Sequence, residues 1–126
     1  YFQNYSESKK NIWLVPPKET KIYYAIFSVD IDGTNKKEIF VEEPNYDIVE
    51  IKAYNGWIYY VTSIPVIKDY GIDYYNGCLN RIRPDGTNKQ QLTDEYLVDY
   101  RFTDEGIYYE CDYGRGSGLL KYEDLD

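Results

Sequence analysis

Between Ile64 and Gly77 the chain reads IPVIKDYGIDYYNG, a stretch with three tyrosines and two aspartates close together: Asp69, Tyr70, Asp73, Tyr74 and Tyr75. Tyrosine rings offer flat faces for stacking and hydroxyls for hydrogen bonding. Carboxylates accept hydrogen bonds, so a sugar or a peptide can dock on such a set. The alternative is a long hairpin that packs its own tyrosines. Catalysis is harder to build here. The chain has no histidine, which removes the commonest general base, the usual partner of a nucleophile and the commonest metal ligand. Its Glu and Asp residues are numerous but scattered, and none stand out as an acid and base pair. These residues predict a binding surface and no enzyme.

Other candidate motifs reduce to turns. Asp30-Ile31-Asp32-Gly33 hints at a calcium loop, but an EF-hand carries a glutamate where Ile39 stands. A sialidase-type Asp-box beginning at Ser28 has its glycine one position late and lacks the aromatic residue. The same Asp-Gly turn recurs at Asp85-Gly86 after Pro84, which favours hairpin chemistry in both places. Gly114-Arg115-Gly116-Ser117-Gly118 lacks the lysine of a phosphate loop and reads as a turn between strands. Asn4-Tyr5-Ser6 fits the glycosylation triplet, a pattern common by chance. Cys78 and Cys111 are expected near one rim. A bridge needs Cα atoms within about 7 Å, so both are read as free thiols that pack as small apolar groups. No pattern asks for a metal or a cofactor.

Charge narrows the partners. The net charge is −8, and the arginines Arg81, Arg83, Arg101 and Arg115 form no basic stripe. Nucleic acid binding needs clustered Lys and Arg, so it is excluded, and an anionic membrane surface is disfavoured on the same ground. No apolar run approaches the roughly 20 residues that span a bilayer.

The elements that must carry these residues are strands. Of 126 residues, 18% are aromatic, mostly the seventeen tyrosines, which favour strands over helices. Residues 1–10 are read as an irregular strand or a disordered arm. Asn11–Val15 is a short apolar strand stopped by Pro16-Pro17. Lys21–Ile31 runs extended, Asp32-Gly33-Thr34-Asn35 turns the chain and KKEIFV returns it. DIVEIKAY (47–54) alternates, with Val49, Ile51 and Ala53 on the side suited to a crowded interior. Asn55-Gly56 then turns into WIYYVTS, and CLNRIRP, the Asp85-Gly86-Thr87-Asn88 turn and KQQLT complete a four-strand unit. LVDYRFT, IYYECDY and LLKYEDL form a third unit running to Asp126. No segment of convincing length has a helical period.

The units align: Ile12, Ile58 and Ile107 share one strand position, and Asp32, Asp85 and Asp126 another. The two aspartate spacings differ by about the length of the insert at 64–77. Four strands per unit at about 40–45 residues is the period of propeller blades. IYYVTS…NRIRPDGTNKQQL resembles the YWTD-type propeller repeats of lipoprotein-receptor-like proteins. It looks closer still to tandem DGTN-type propellers, domains of unknown function in bacterial surface proteins. The Thr-Asp of the receptor-type repeat is Val61-Thr62 here and Glu110-Cys111 in the next copy, so that family's contacts from the Asp do not carry over.

The resemblance implies an all-β propeller fragment of about three blades, with repeats near 1–43, 44–94 and 95–126 and the last blade incomplete. It implies a non-catalytic binding or scaffolding module of a secreted or cell-envelope bacterial protein, its ligand a glycan or peptide. A glycosidase-like propeller using rim carboxylates and a purely structural spacer are the alternatives. The insert is expected on one rim with Glu42, Glu43, Asp94 and Glu95, an acidic and aromatic surface suited to neutral or cationic ligands. Blade faces left bare call for neighbouring blades or another chain to cover them.

Overall fold

The computed structural model describes residues 2–9, 21–42 and 47–125. The chain is all-β. The first sheet holds β1 (Phe2–Lys9), β2 (Lys21–Ser28) and β3 (Lys37–Val41). The second holds β4 (Ile48–Tyr54), β5 (Trp57–Lys68), β6 (Gly71–Ile82) and the short β7 (Gln90–Gln91). The third holds β8 (Leu97–Phe102), β9 (Gly106–Cys111) and β10 (Gly116–Lys121). Every pairing is antiparallel and joins strands adjacent in sequence, so each sheet is a meander. The strand expected at Asn11–Val15, its stop at Pro16-Pro17, and Glu43 and Asp126 lie outside the described residues.

The two Asp-Gly-Thr-Asn turns fold alike. In the first, the Asp30 amide donates to the Thr34 carbonyl at 2.9 Å and the Gly33 amide to the Asp30 carbonyl at 2.8 Å. In the second, Arg83 donates to Thr87 at 2.9 Å and Gly86 to Arg83 at 2.8 Å. Asp32 Oδ1 accepts from the Thr34 amide (2.9 Å) and hydroxyl (2.5 Å); Asp85 Oδ1 accepts from Thr87 likewise, at 3.0 and 2.6 Å. Gly33 and Gly86 take φ of 83° and 86°, and Asn35 and Asn88 take 56° and 57°. Each residue type has its reason: the aspartate folds back on the chain, and glycine and asparagine accept the left-handed region. The threonine bonds hold both carboxyl groups below the ordinary aspartate range.

The sheets stack with the second in the middle. Trp57, Tyr59, Val61 and Leu79 pack against Leu97, Tyr100, Ile107 and Cys111 of the third sheet. Ile58, Tyr60, Ile82 and Ile48 face the other way, onto Ile26 and Ile39 of the first. Every residue from Trp57 to Ser63 is buried. A strand covered on both faces needs apolar side chains at successive positions, which is why β5 reads WIYYV and not as a simple alternation. Rings close both seams: Tyr59 meets Phe102 edge-on with centroids 4.8 Å apart, and Tyr60 meets Phe40 at 4.9 Å. On the far side of the third sheet, Val98, Tyr108 and Leu119 are exposed.

Three local expectations change. In β4, Val49 and Ala53 are exposed, while Ile48 is buried toward the first sheet and Ile51 packs beside it. A bulge between Ile48 and Glu50 shifts the register, so the alternation changes face partway along the strand. Gly116, Ser117 and Gly118 belong to β10, and the turn ahead of them is shorter than expected. LLKYEDL is not extended throughout: after β10 comes one helical turn, α1 (Tyr122–Leu125). The Tyr122 amide donates to the Glu105 carbonyl at 3.1 Å, and Tyr122 and Leu125 pack against the Trp57–Tyr59 seam.

Candidate binding surface on the long hairpin

The insert is regular structure. β4 pairs with β5 only as far as Thr62, and β7 meets β6 only at Asn80 and Arg81. Beyond them Ser63–Lys68 and Gly71–Asn76 pair with each other, so β5 and β6 project as a two-stranded ribbon with Asp69 and Tyr70 in its tip turn. A register shift between Val61 and Ser63 marks its base. Gly77 sits there because a Cβ would lie 2.5 Å from Thr62 Oγ1. Two-stranded ribbons twist strongly. Thr62 and Ile64 accordingly line a cleft beside Glu42 of the first sheet, whereas Val66 and Lys68, of the same parity, line one beside the third.

That second cleft is built on three tyrosines. Tyr75 comes from the ribbon, Tyr96 immediately precedes β8 and Tyr113 follows β9. Their rings meet pairwise edge to face, with centroids 5.8 Å (Tyr75–Tyr96), 6.0 Å (Tyr75–Tyr113) and 4.9 Å (Tyr96–Tyr113) apart. Tyr96 and Tyr113 both occupy the left-handed region, with φ of 66° and 54°. For a bulky L-residue that conformation costs about 1–2 kcal/mol, and surrounding bonds hold it in place. The Tyr96 amide donates to the Asn76 carbonyl (3.0 Å), and the Asp112 amide donates to the Tyr96 carbonyl (2.8 Å). Asn76 Nδ2 donates to the Leu97 carbonyl (3.0 Å), and Asp112 Oδ1 accepts from the Tyr113 amide (2.8 Å).

Two cations edge this cluster. Lys68 Nζ lies 5.7 Å from the Tyr75 ring centre, and the Arg115 guanidinium 5.5 Å from that of Tyr96. The Tyr75 phenol is the main cause of a raised Lys68 pKa, and a hydrogen bond with Tyr75 likewise raises that of Tyr113. Val66, Lys68, Tyr75, Tyr96, Tyr113 and Arg115 enclose 250 Å³, next to a 260 Å³ cleft that reaches Tyr74, Asn76, Val98 and Asp112.

The five residues singled out in the insert do not converge. Tyr75 joins the cluster. Tyr74, two-thirds exposed, lines a third cleft of 450 Å³ with Tyr24, Asp47, Val49, Ser63, Pro65 and Ile72. Tyr70 is exposed, and its hydroxyl donates to Asp73 Oδ2, which raises the tyrosine's pKa. Asp69 is exposed at the tip. Tyr96, Tyr113, Lys68 and Arg115 were not among the expected residues. Their signal was topological: the start of β8 and the end of β9 lie on the rim from which the insert projects.

The acidic residues gather elsewhere. Glu42 and Glu95 line a 360 Å³ cleft at the ribbon base, with Thr62, Ile64, Gly77, Cys78, Asn80, Lys89 and Gln91. Lys89 Nζ approaches Glu42 Oε2 at 3.7 Å. Asp94 is exposed, and its carbonyl accepts from the Thr93 hydroxyl at 3.0 Å. Tyr60, fully buried nearby, has a hydroxyl without a hydrogen-bond partner among the described residues, and burial raises its pKa. Cys78 and Cys111 are free thiols, both with pKa raised by burial. Comparison with known proteins adds no relative to this geometry: no family model, curated protein or solved structure matches the chain.

Proposed function

We propose that the chain is part of a β-propeller and serves as a non-catalytic binding module, with a glycan as ligand on the tyrosine face of the long hairpin. Three successive antiparallel meanders, stacked with the middle one buried on both faces, support the propeller reading. So do the twin Asp-Gly-Thr-Asn turns and the resemblance to YWTD- and DGTN-type repeats. Exposed Val98, Tyr108 and Leu119 on the third sheet are the face that a further blade or another chain would cover. The resemblance also favours a location at the bacterial envelope or outside the cell.

One observation carries the binding reading: two tyrosines sit in the left-handed region to complete a cluster at an open rim. Backbone strain of this kind persists where the surroundings enforce it, and it gathers at ligand sites. The rings offer faces and edges to the C–H surface of a sugar, and their hydroxyls can exchange hydrogen bonds with its hydroxyls. The clefts are short and shallow, which suits a few sugar units better than an extended peptide.

Glycine substitution separates binding from folding. Tyr96→Gly and Tyr113→Gly remove the ring and relieve the strain, because glycine accepts positive φ. Each variant is expected to keep its melting temperature within a few degrees and to lose signal on a glycan array. A loss of several kcal/mol in stability, with no glycan bound by the unaltered protein, would make the tyrosines packing residues and the ribbon a spacer.

A further inference from the structure

We propose that the glycan is acidic, with a sugar carboxylate held between Lys68 and Arg115 while the sugar ring rests on Tyr75, Tyr96 and Tyr113; this rests on the binding reading above. The chain carries a net charge of −8, yet among the described residues the charged ones lining the 250 Å³ cleft are Lys68 and Arg115, with no carboxylate. Both cations are stationed beside tyrosine rings, at 5.7 and 5.5 Å from the centroids. Such placement limits the freedom of two long side chains before any ligand arrives. Lys68 stays charged at neutral pH, its pKa raised chiefly by Tyr75. The arginine fork matches the two oxygens of a carboxylate. Two acids stand outside this lining but close to it: Asp73 accepts from the Tyr70 hydroxyl, and Asp112 from the Tyr113 amide.

The charged side chains that line this cleft are thus cations on an acidic molecule. A ligand bearing an ammonium group is disfavoured beside Lys68 and Arg115, which differs from the neutral or cationic ligand expected from the acidic residues of the rim. A polymer as densely charged as nucleic acid is repelled by the acidic body around it. A chain of mostly neutral sugars with isolated carboxylates satisfies both fields.

The experiment is an array carrying uronic-acid and sialic-acid glycans beside their carboxyl-reduced counterparts, followed by titration of the best acidic glycan against the whole chain. The acidic glycan should bind at least tenfold more tightly than its reduced form, about 1.4 kcal/mol. The preference should weaken with added salt and vanish in Lys68→Gln/Arg115→Gln. The same double variant should weaken binding of the reduced form far less than that of the acidic form. Equal binding of the acidic and reduced forms, insensitive to salt, would overturn the acidic-sugar proposal and leave glycan binding standing. Failure of every glycan, or equally tight binding of a poly-glutamate peptide, would overturn both.

Discussion

Arg81 and Arg83 stack on the same indole and should nevertheless differ sharply in what their removal costs. Their guanidinium carbons lie 3.7 and 3.8 Å from the centre of the Trp57 ring. Arg81 is only 1% exposed. Its Nε donates to Gln90 Oε1 at 2.6 Å, and its Nη2 donates to the Leu125 carbonyl at 3.0 Å. Arg83 is half-buried and donates to the Gly56 carbonyl at 3.2 Å. A hydrogen bond to a charged group is worth about 1.5–3 kcal/mol, so Arg81→Ala loses at least these two and leaves two half-buried acceptors without their donor. Allowing for the desolvation that a buried cation suffers in the native protein, a net loss of about 3 kcal/mol is expected. Arg83→Ala should cost about 1 kcal/mol, the worth of a partly exposed cation–ring contact. Urea denaturation followed by tryptophan fluorescence reads the difference directly. At a slope of about 1–3 kcal/mol per molar urea, the Arg81 midpoint should fall on the order of 1–3 M at unchanged slope. Arg81→Met keeps the stem and deletes the charge, and should recover only part of the loss. Equal midpoints for the two alanine variants would refute the argument, as would full recovery in Arg81→Met.

Two shorter predictions concern the twin turns. A Cβ added at Gly33 meets nothing within 4 Å, whereas one at Gly86 would stand 2.6 Å from the Ile39 carbonyl oxygen. Gly33→Ala should therefore cost only the left-handed penalty of about 1–2 kcal/mol. Gly86→Ala should cost clearly more in the same denaturation assay, and equal costs would mean that the turn does not rest on β3. The second prediction is a pH dependence. Threonine bonds lower the pKa of Asp32 and Asp85 in the folded state, so their contribution is fully present above the ordinary aspartate value of about 3.9. It is lost as pH falls through the depressed folded values. The stability gap between the parent and Asp32→Ala/Asp85→Ala should stay constant above about pH 5 and narrow below about pH 4; a gap that widens on acidification would contradict the sign.

Much of the strand order was legible in the sequence because turn chemistry is local. Asp32-Gly33, Asn55-Gly56 and Asp85-Gly86 each fix a reversal within four residues, and the runs between them had no other way to pair. The burial of β5 on both faces was not read from the sequence, although its five successive large apolar residues carry that signal. What escaped depends on register and on distance. One bulge at Val49 moved Ile51 onto the face of Ile48, and no composition rule marks where a bulge falls. The helical turn at Tyr122–Leu125 follows a run with strand-like residues and is held by Arg81, a partner far away in sequence. The candidate surface was half visible. Tyr75 stood in the conspicuous insert. Tyr96 lay in what read as an ordinary connection and Tyr113 at the end of what read as the strand IYYECDY, and only the twist of the ribbon brings them beneath it.

Burial of β5 on both faces has a kinetic meaning as well. Tyr59 is sheltered by the third sheet and Tyr60 by the first, so neither neighbour can detach without wetting half of the central strand. The Trp57–Val61 amides should then exchange with solvent only when the whole stack opens, the slowest in the chain. The amides of Val66, Ile67 and Ile72, on a ribbon paired only with itself, should exchange orders of magnitude sooner. The molecule thus joins a cooperative body to an appendage whose outer part should open locally without disturbing it.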